Sequence, residues 1–275
     1  MKKLSALAIV LAAGTLAAPA PGPAHAQTLE EVVQVSVRAG WRTAGGTHMA
    51  GIEIALAPGW KTYWRAPGDA GIPPQLDLAG STNVAGVAMH WPVPEVFWEN
   101  GLRSIGYGGA VVLPLELTPA LASEEIGLVG QLSIGVCEKI CVPVTLDIAA
   151  RLPVDGGRDG TLAGALAQRP LSGAEAGVEA ARCRVDPPAE PGASAQLTAE
   201  IEMPSAGGTE HVVFELSDPS IWVAEPVTAR SGNTLRAATE VVPRPGDPLA
   251  MDRSGLVITI LGSERAVEIR GCTGF

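Results

Sequence analysis

Two cysteines separated by three residues lie between two runs of alternating apolar residues, in the segment Cys137-Glu138-Lys139-Ile140-Cys141. In one extended strand their Cα atoms would lie roughly 13 Å apart at about 3.3 Å per residue, whereas a disulfide requires less than about 7 Å. If the two cysteines pair, the chain must turn between them. So small a ring gains little loop-closure entropy, and a disulfide that contributes little to stability is a candidate for redox chemistry.

The run before this motif predicts which sulfur meets solvent. Leu132, Ile134 and Val136 occupy alternate positions, the ones that face the core in a half-buried strand. Cys137 is therefore at a position expected to face solvent. The motif is therefore expected at a strand end with at least one sulfur near solvent, and Cys137 is favoured as the sulfur that a partner contacts. Similar alternation predicts further strands at 33–37, 52–56, 113–117, 142–148, 197–203, 212–216, 256–260 and 267–269.

The N-terminus has the regions of a secretory signal. Lys2 and Lys3 precede an apolar stretch over 4–18, and Ala24-His25-Ala26 is a small-residue cleavage site. We expect residues 1–26 to be removed as a signal peptide and the mature chain to lie in the periplasm, an oxidising compartment where disulfides persist. No later run approaches about 18 uninterrupted apolar residues, so the mature chain is expected to be soluble, without membrane insertion.

The formal charge is −10, and loss of Lys2 and Lys3 with the signal takes it to −12. That charge argues against nucleic acid and anionic membrane surfaces as partners. With 33 Gly and 23 Pro, the chain is rich in turns, which favours many short strands. We predict an all-β protein of two β-sandwich domains, at 27–154 and 182–275. The Gly- and Asp-rich segment 155–181, with a short helix over 161–168, is expected to be the linker.

Four cysteines allow three pairings, and their spacing favours a local Cys137–Cys141 pair and a long-range Cys183–Cys272 pair. The second pair spans the whole second region, so a structural disulfide is expected there. The local pair has three interpretations: thiol–disulfide exchange, a small structural staple, or a soft metal site. Copper ligands for such a site would come from His48-Met49 and Met89-His90.

Most aromatic residues precede the cysteine motif. They are compatible with core packing, with a carbohydrate-binding platform, or with a shield over a reactive disulfide, and comprise Trp60, Tyr63, Trp64, Trp91, Phe97, Trp98 and Tyr107. No arrangement of Ser, His and acid, no phosphate loop and no zinc spacing stands out from the sequence.

Four ordered segments within Val32 to Leu152 resemble a known family: 59–73 (GWKTYWRAPGDAGIP), 91–95 (WPVPE), 106–109 (GYGG) and 137–143 (CEKICVP). They are similar to the N-terminal periplasmic domain of the thiol:disulfide interchange protein DsbD, and most to its branch of DsbD-like copper-sensitivity proteins, ScsB. The second region resembles the extra domain of that longer branch only loosely.

The resemblance implies an immunoglobulin-like sandwich whose cysteine pair takes electrons from a membrane-embedded partner and reduces exported thiol proteins. By motif position, Cys137 and Cys141 carry this role, and no cofactor or metal is implied. The family also has an aromatic cap over the disulfide, for which Phe97 or Trp98 is the expected residue. A DsbD/CcdA-like membrane protein is the implied electron donor, and thioredoxin-like or other periplasmic thiol proteins are the implied acceptors.

Two features depart from the family pattern. The cysteine spacing differs from that of the shorter DsbD branch, and the chain ends at Phe275 without the membrane electron channel or the C-terminal thioredoxin domain. We expect separate proteins to supply those functions. The sequence thus predicts a protein-disulfide reductase type of exchange protein, with a non-catalytic copper-binding or partner-docking module and a purely structural sandwich as the alternatives.

Overall fold

The computed structural model of the protein describes residues 28–68, 71–187, 194–244 and 251–275. The predicted signal peptide at 1–26 lies outside these ranges. The described chain is nearly all β, as predicted, and its strands form four sheets that pack as immunoglobulin-like sandwiches.

The first two sheets contain ten strands, all paired in antiparallel fashion. Sheet A has the order β1-β2-β8-β5, and sheet B has the order β10-β9-β3-β7-β6 with β4 also paired to β9. A helical turn, α1 (Leu29–Val32), precedes them. The strands are β1 (Val33–Arg42), β2 (His48–Leu56), β3 (Lys61–Tyr63), β4 (Gln75–Asp77), β5 (Gly86–Met89), β6 (Glu95–Glu99), β7 (Leu102–Gly108), β8 (Ala110–Thr118), β9 (Ile126–Cys137) and β10 (Cys141–Leu152).

Alternation of apolar residues builds the first core. Successive side chains of a strand point to opposite faces, so one parity of each strand is buried between sheets A and B. The largest contributors in the middle of that core are Ile52, Leu115, Leu132, Ile134 and Trp64, each fully or almost fully buried. The predicted strands at 33–37, 52–56, 113–117, 132–136 and 142–148 lie within β1, β2, β8, β9 and β10.

The segment after the first sandwich contains a helix that packs against that sandwich. Helix α2 (Gly160–Ala167) begins at Asp159, whose carboxylate accepts a hydrogen bond from the Leu162 amide at 2.9 Å and another from Arg38 at 2.9 Å. Leu162 and Ala165 are buried against sheet A, beside Met49. The segment predicted as a linker is therefore partly helical, as expected, but its helix is packed onto the first sandwich.

The other two sheets form the second sandwich. Sheet C has the order β11-β19-β18-β14, in which only β11 runs parallel to its neighbour, and sheet D has the order β12-β13-β17-β15 with β16 also paired to β17. The strands are β11 (Leu171–Ser172), β12 (Ala180–Asp186), β13 (Ala195–Glu202), β14 (His211–Glu215), β15 (Trp222–Val223), β16 (Val227–Ser231), β17 (Thr234–Val242), β18 (Val257–Leu261) and β19 (Ala266–Arg270).

Contacts join the two sandwiches directly. Val213, Leu261 and Ala266 of the second sandwich pack onto the first core. Arg65 donates two hydrogen bonds to Glu215, at 2.8 and 2.9 Å, and one of 2.7 Å to Glu268. Because Arg65 lies two residues after the end of β3, these bonds tie the second sandwich to the strand that borders the cysteine pair. No helix among the described residues is long and apolar enough to cross a membrane.

Candidate redox site

The cysteine motif is a hairpin. Strands β9 and β10 pair in antiparallel register with Cys137 opposite Cys141, and residues 138–140 make the turn between them. The two cysteines form a disulfide with a Cα–Cα distance of 4.2 Å. Both the predicted pairing and the turn that the spacing demanded are therefore present in the structure.

The two sulfurs differ in exposure, and the difference is opposite to the prediction. Cys137 is 1% exposed, whereas Cys141 is exposed. The alternation of apolar residues predicted that Cys137 faces solvent, on the assumption that nothing covers the outer face of sheet B. That assumption is wrong here because β3 pairs with the end of β9 and places Tyr63 over this face. Strand β10 is the edge of sheet B, so no strand pairs with it on the side away from β9, and Cys141 remains exposed.

Tyr63 lies on the disulfide. Its hydroxyl oxygen is 2.7 Å from Cys137 Sγ and 2.9 Å from Cys141 Sγ, and the residue is 2% exposed. Neither disulfide sulfur carries a proton, so the hydroxyl is the donor. Burial raises the pKa of Tyr63, and the Glu99 carboxylate raises it further, which keeps the phenol protonated and able to donate.

The space for the Tyr63 ring depends on Gly135. A Cβ at that position would lie 3.0 Å from the ring and 2.9 Å from the Cβ of Ile72. The absence of a side chain at Gly135 therefore leaves room for the Tyr63 ring, whose hydroxyl reaches Cys137 two residues further along β9 and Cys141 across the hairpin.

A buried cation lies on the same face. Lys61 is the cross-strand partner of Cys137 and is 5% exposed. Its ammonium lies 2.9 Å from a Glu99 carboxylate oxygen and 3.2 Å from Ser104 Oγ, and it is 5.0 Å from the centre of the Phe97 ring. On the face of sheet B that carries the disulfide, the structure thus brings together one phenol, one ammonium and one carboxylate.

The two predicted cap residues project from opposite faces of β6. Phe97 pairs with Ser104 and lies over Lys61 on the face that carries the disulfide. Trp98 pairs with Arg103 on the other face, and its ring lies 6.0 Å from the His211 ring in the second sandwich. Strand alternation thus places Trp98 away from the sulfurs, and Phe97 is the one of the two that shares their face.

The second disulfide is also present. Cys183 in β12 pairs with Cys272 at a Cα–Cα distance of 5.8 Å, and Cys183 is fully buried in the second core. The Cys183 amide donates to the Thr273 carbonyl and the Thr273 amide donates to the Ala181 carbonyl, at 2.8 and 2.9 Å. The bond therefore clips the C-terminal segment to the first long strand of the second sandwich.

The four residues considered as copper ligands do not come together in one group. His90 Nε2 lies 3.1 Å from the Glu116 carboxylate, on the face of sheet A that carries Met49, but Met89 lies on the other face. Met49 and Met89 pair with Glu116 and Leu115, which are adjacent on β8 and so point to opposite faces of sheet A. His48 is buried with Nε2 2.6 Å from the Ala39 carbonyl oxygen. In the described ranges no cluster of three or more His, Cys, Asp or Glu side chains is arranged to hold a metal ion.

Sequence reasoning named Tyr63 only as one of several aromatics and did not single out Lys61 or Glu99. Lys61 and Tyr63 lie in a three-residue strand, too short for alternation to reveal. Their one sequence signal was their position in the motif at 59–73, which the family resemblance made prominent.

Comparison with known proteins gives one family match and one similar solved structure. Residues 24–153 match the family described as "Thiol:disulfide interchange protein DsbD, N-terminal". Among solved structures, the N-terminal periplasmic domain of ScsB from Proteus mirabilis is similar with a TM-score of 0.63 at 22% identity, over 88% of this chain and 92% of that one. A search of curated proteins found no match.

The family match and the hairpin disulfide support a role in thiol–disulfide interchange in general, for a protein built as a pair of immunoglobulin-like sandwiches. The match to the family of DsbD N-terminal domains, over residues 24–153, takes in the first of them. The likeness to the ScsB domain extends over most of the chain and shows that the two-sandwich fold is shared.

Proposed function

We propose that this protein exchanges disulfides with partner thiol proteins through the Cys137–Cys141 pair, with Cys141 as the sulfur that partners contact. The observation that carries the proposal is the asymmetric exposure of this disulfide. A hairpin end on an edge strand presents Cys141, while β3 and Tyr63 bury Cys137. Exchange requires one reachable sulfur and a nearby second sulfur to take or return the electron pair.

The reaction balances within the pair and its partner. A partner thiolate attacks Cys141 Sγ, a new sulfur–sulfur bond forms, and the old bond breaks to leave its electron pair on Cys137. A second partner thiolate then attacks the partner sulfur of the mixed disulfide and releases Cys141 as thiolate. The partner is oxidised to a disulfide and this protein is reduced. The reverse sequence passes the two electrons on to another disulfide.

Tyr63 is placed to assist the first step. Its hydroxyl is 2.7 Å from Cys137 Sγ, the atom on which negative charge develops when the bond opens. A hydrogen bond to an ionised acceptor is stronger than one to a neutral acceptor, so this contact favours the opened state over the disulfide. Because the hydroxyl also lies 2.9 Å from Cys141 Sγ, it remains in reach of either sulfur during exchange.

Apolar residues beside Cys141 support contact with a folded protein. Ile140 in the turn is 76% exposed, and Val142 after Cys141 is 43% exposed. Exposed apolar side chains next to a reactive atom fit a transient interface. We propose that electrons arrive from a membrane-embedded DsbD/CcdA-like donor and leave to thioredoxin-like or other thiol proteins of the periplasm. This assignment rests on the family and on the signal at the N-terminus.

Trapping of mixed disulfides tests the proposal. In Cys137→Ser the remaining Cys141 thiol should attack a partner disulfide and, with no second thiol to resolve it, hold the partner in a covalent complex. Cys141→Ser leaves only the buried thiol and should trap far less. The double variant Cys183→Ala/Cys272→Ala is the matched control and should exchange normally if its second sandwich is folded. Stronger trapping by Cys141→Ser, or no trapping by either single variant, would refute the proposal.

A further inference from the structure

A lysine is buried beside the disulfide, where an apolar residue would fill the space at lower cost. Lys61 stands directly opposite Cys137 across the β3–β9 pair, so both side chains leave the sheet on the same face. Its ammonium has two polar partners, Glu99 and Ser104, and lies over the Phe97 ring. Burying an ammonium costs free energy unless it is paired, which makes its presence here informative.

We propose that Lys61 is a positioning residue that stabilises the Cys137 thiolate when the disulfide is opened, and that Glu99 opposes it. The proposal deepens the exchange function above and rests on it. When the bond opens, the outgoing electron pair stays on Cys137, in a site that is closed to water by β3 and Tyr63. Burial raises the pKa of a thiol, and a nearby cation lowers it.

The relative effects of the Lys61 ammonium and the Glu99 carboxylate on Cys137 follow from how exposed each charge is to water. Lys61 is buried, with its side chain 7% exposed, whereas the Glu99 side chain is 54% exposed at the end of β6. Water screens an exposed charge far more than a buried one, so the ammonium has the larger effect inside the site. The field of Glu99 still reaches the sulfurs' surroundings, because it raises the pKa of Tyr63, whose hydroxyl touches both sulfurs.

Other charged groups near the pair act less selectively. Glu138 and Lys139 lie in the exposed turn between the two cysteines, carry opposite charges, and face solvent. A Cβ on Gly59 would lie 3.8 Å from a Glu138 carboxylate oxygen, which puts that carboxylate near the start of β3. Tyr63 supplies a hydrogen bond but no charge. Among the described residues, Lys61 is thus the buried cation on the disulfide face.

The competing explanation is that Lys61 and Glu99 form an ion pair that only holds the β6–β7 hairpin against β3. The two explanations predict different directions for the change in the pKa of Cys137 when Lys61 or Glu99 is replaced. If the pair is structural, removing either member loosens the same contact, so both substitutions change the site in the same direction. If the charges tune Cys137, removing the cation and removing the anion have opposite effects on the thiol.

The test measures the ionisation of Cys137 in a Cys141→Ser background, where it is the free thiol and the Cys183–Cys272 disulfide stays closed. The rate of alkylation of Cys137 by iodoacetamide is followed against pH by mass spectrometry. In Lys61→Met the pKa of Cys137 should rise by about one unit, which lowers the thiolate fraction about tenfold at pH values below the pKa. In Glu99→Gln the pKa should fall by a smaller amount.

Three controls accompany these variants. Lys61→Arg keeps the charge and should retain a pKa close to that of the parent. Ser104→Ala removes the hydrogen bond at 3.2 Å without changing any charge and should leave the pKa of Cys137 unchanged. Thermal unfolding of each variant shows whether the fold is retained. If Lys61→Met is unfolded, an unchanged or raised pKa of Cys137 in Glu99→Gln still overturns the proposal.

Shifts in the same direction for Lys61→Met and Glu99→Gln, or an unchanged pKa in both, would overturn the proposal. This outcome is separable from the exchange function itself. If no mixed disulfide forms with any protein but the two shifts are opposite, the charge effect stands and the partner assignment fails. If trapping succeeds and the shifts agree in sign, exchange stands and Lys61 is structural.

Discussion

The two disulfides should differ sharply in their effect on stability, because they close loops of very different length. The sequence separation is 4 for Cys137–Cys141 and 89 for Cys183–Cys272. In the chain-entropy account, closing loops of these lengths in the unfolded state corresponds to ~1.9 and ~4.6 kcal/mol respectively, a difference of ~2.7 kcal/mol.

Two double alanine variants make a matched comparison. Each removes one fully buried sulfur, of Cys137 or Cys183, together with a more exposed one, of Cys141 or Cys272. The packing lost is therefore similar, and the loop term dominates the difference. The Cys183/Cys272 variant leaves the C-terminal segment on β12 held by non-covalent contacts, chiefly the Thr273 backbone hydrogen bonds.

Urea unfolding followed by far-ultraviolet circular dichroism provides the measurement, with each sandwich fitted as its own transition where two are resolved. We expect the free energy of unfolding of the second sandwich to fall by most of the larger value in Cys183→Ala/Cys272→Ala. The first sandwich should lose clearly less in Cys137→Ala/Cys141→Ala. Equal losses, or a greater loss for the pair at 137 and 141, would refute the view that the hairpin disulfide serves chemistry rather than stability.

Three further outcomes follow from the structure. Phe97→Ala should speed the reaction of the hairpin disulfide with small thiols, and Trp98→Ala should not. Unchanged rates in both single variants and in the double variant would refute the hypothesis that an aromatic side chain shields the disulfide. Limited proteolysis should cut within the partly exposed stretch 155–159, before α2, and leave two folded pieces. A single unit that resists cleavage would contradict the predicted domain division. Burial disfavours the ionised form of Glu210, but the Arg230 guanidinium and the Ala206 amide outweigh burial and lower the pKa of Glu210. Glu210 therefore contributes stability above the unfolded pKa of about 4.3, and this contribution is lost as pH falls through the lower folded pKa. The difference in unfolding free energy between wild type and Glu210→Gln should narrow below about pH 4, and a difference independent of pH would disprove the linkage.

The β architecture followed from local pattern because alternation is a local property. Runs such as 132–136 and 142–148 place every second apolar residue on one face, and they are central parts of the long strands β9 and β10. The shorter strands β3 to β6 carry no readable alternation because they have three to five residues each. Those strands nevertheless position Lys61, Tyr63 and Phe97, so pattern alone revealed the scaffold and missed most of the site.

Backbone geometry within the sequence determined that Cys137 and Cys141 pair only across a turn, since three intervening residues in a strand hold their Cα atoms too far apart. It did not determine which sulfur is exposed. Burial depends on what packs against a strand from distant parts of the chain, and here β3, some 75 residues upstream of the motif, covers Cys137 while the edge position of β10 leaves Cys141 open. The tertiary structure alone placed the Tyr63 hydroxyl on both sulfurs and Lys61 opposite Cys137, because these positions bring together residues that no local pattern relates.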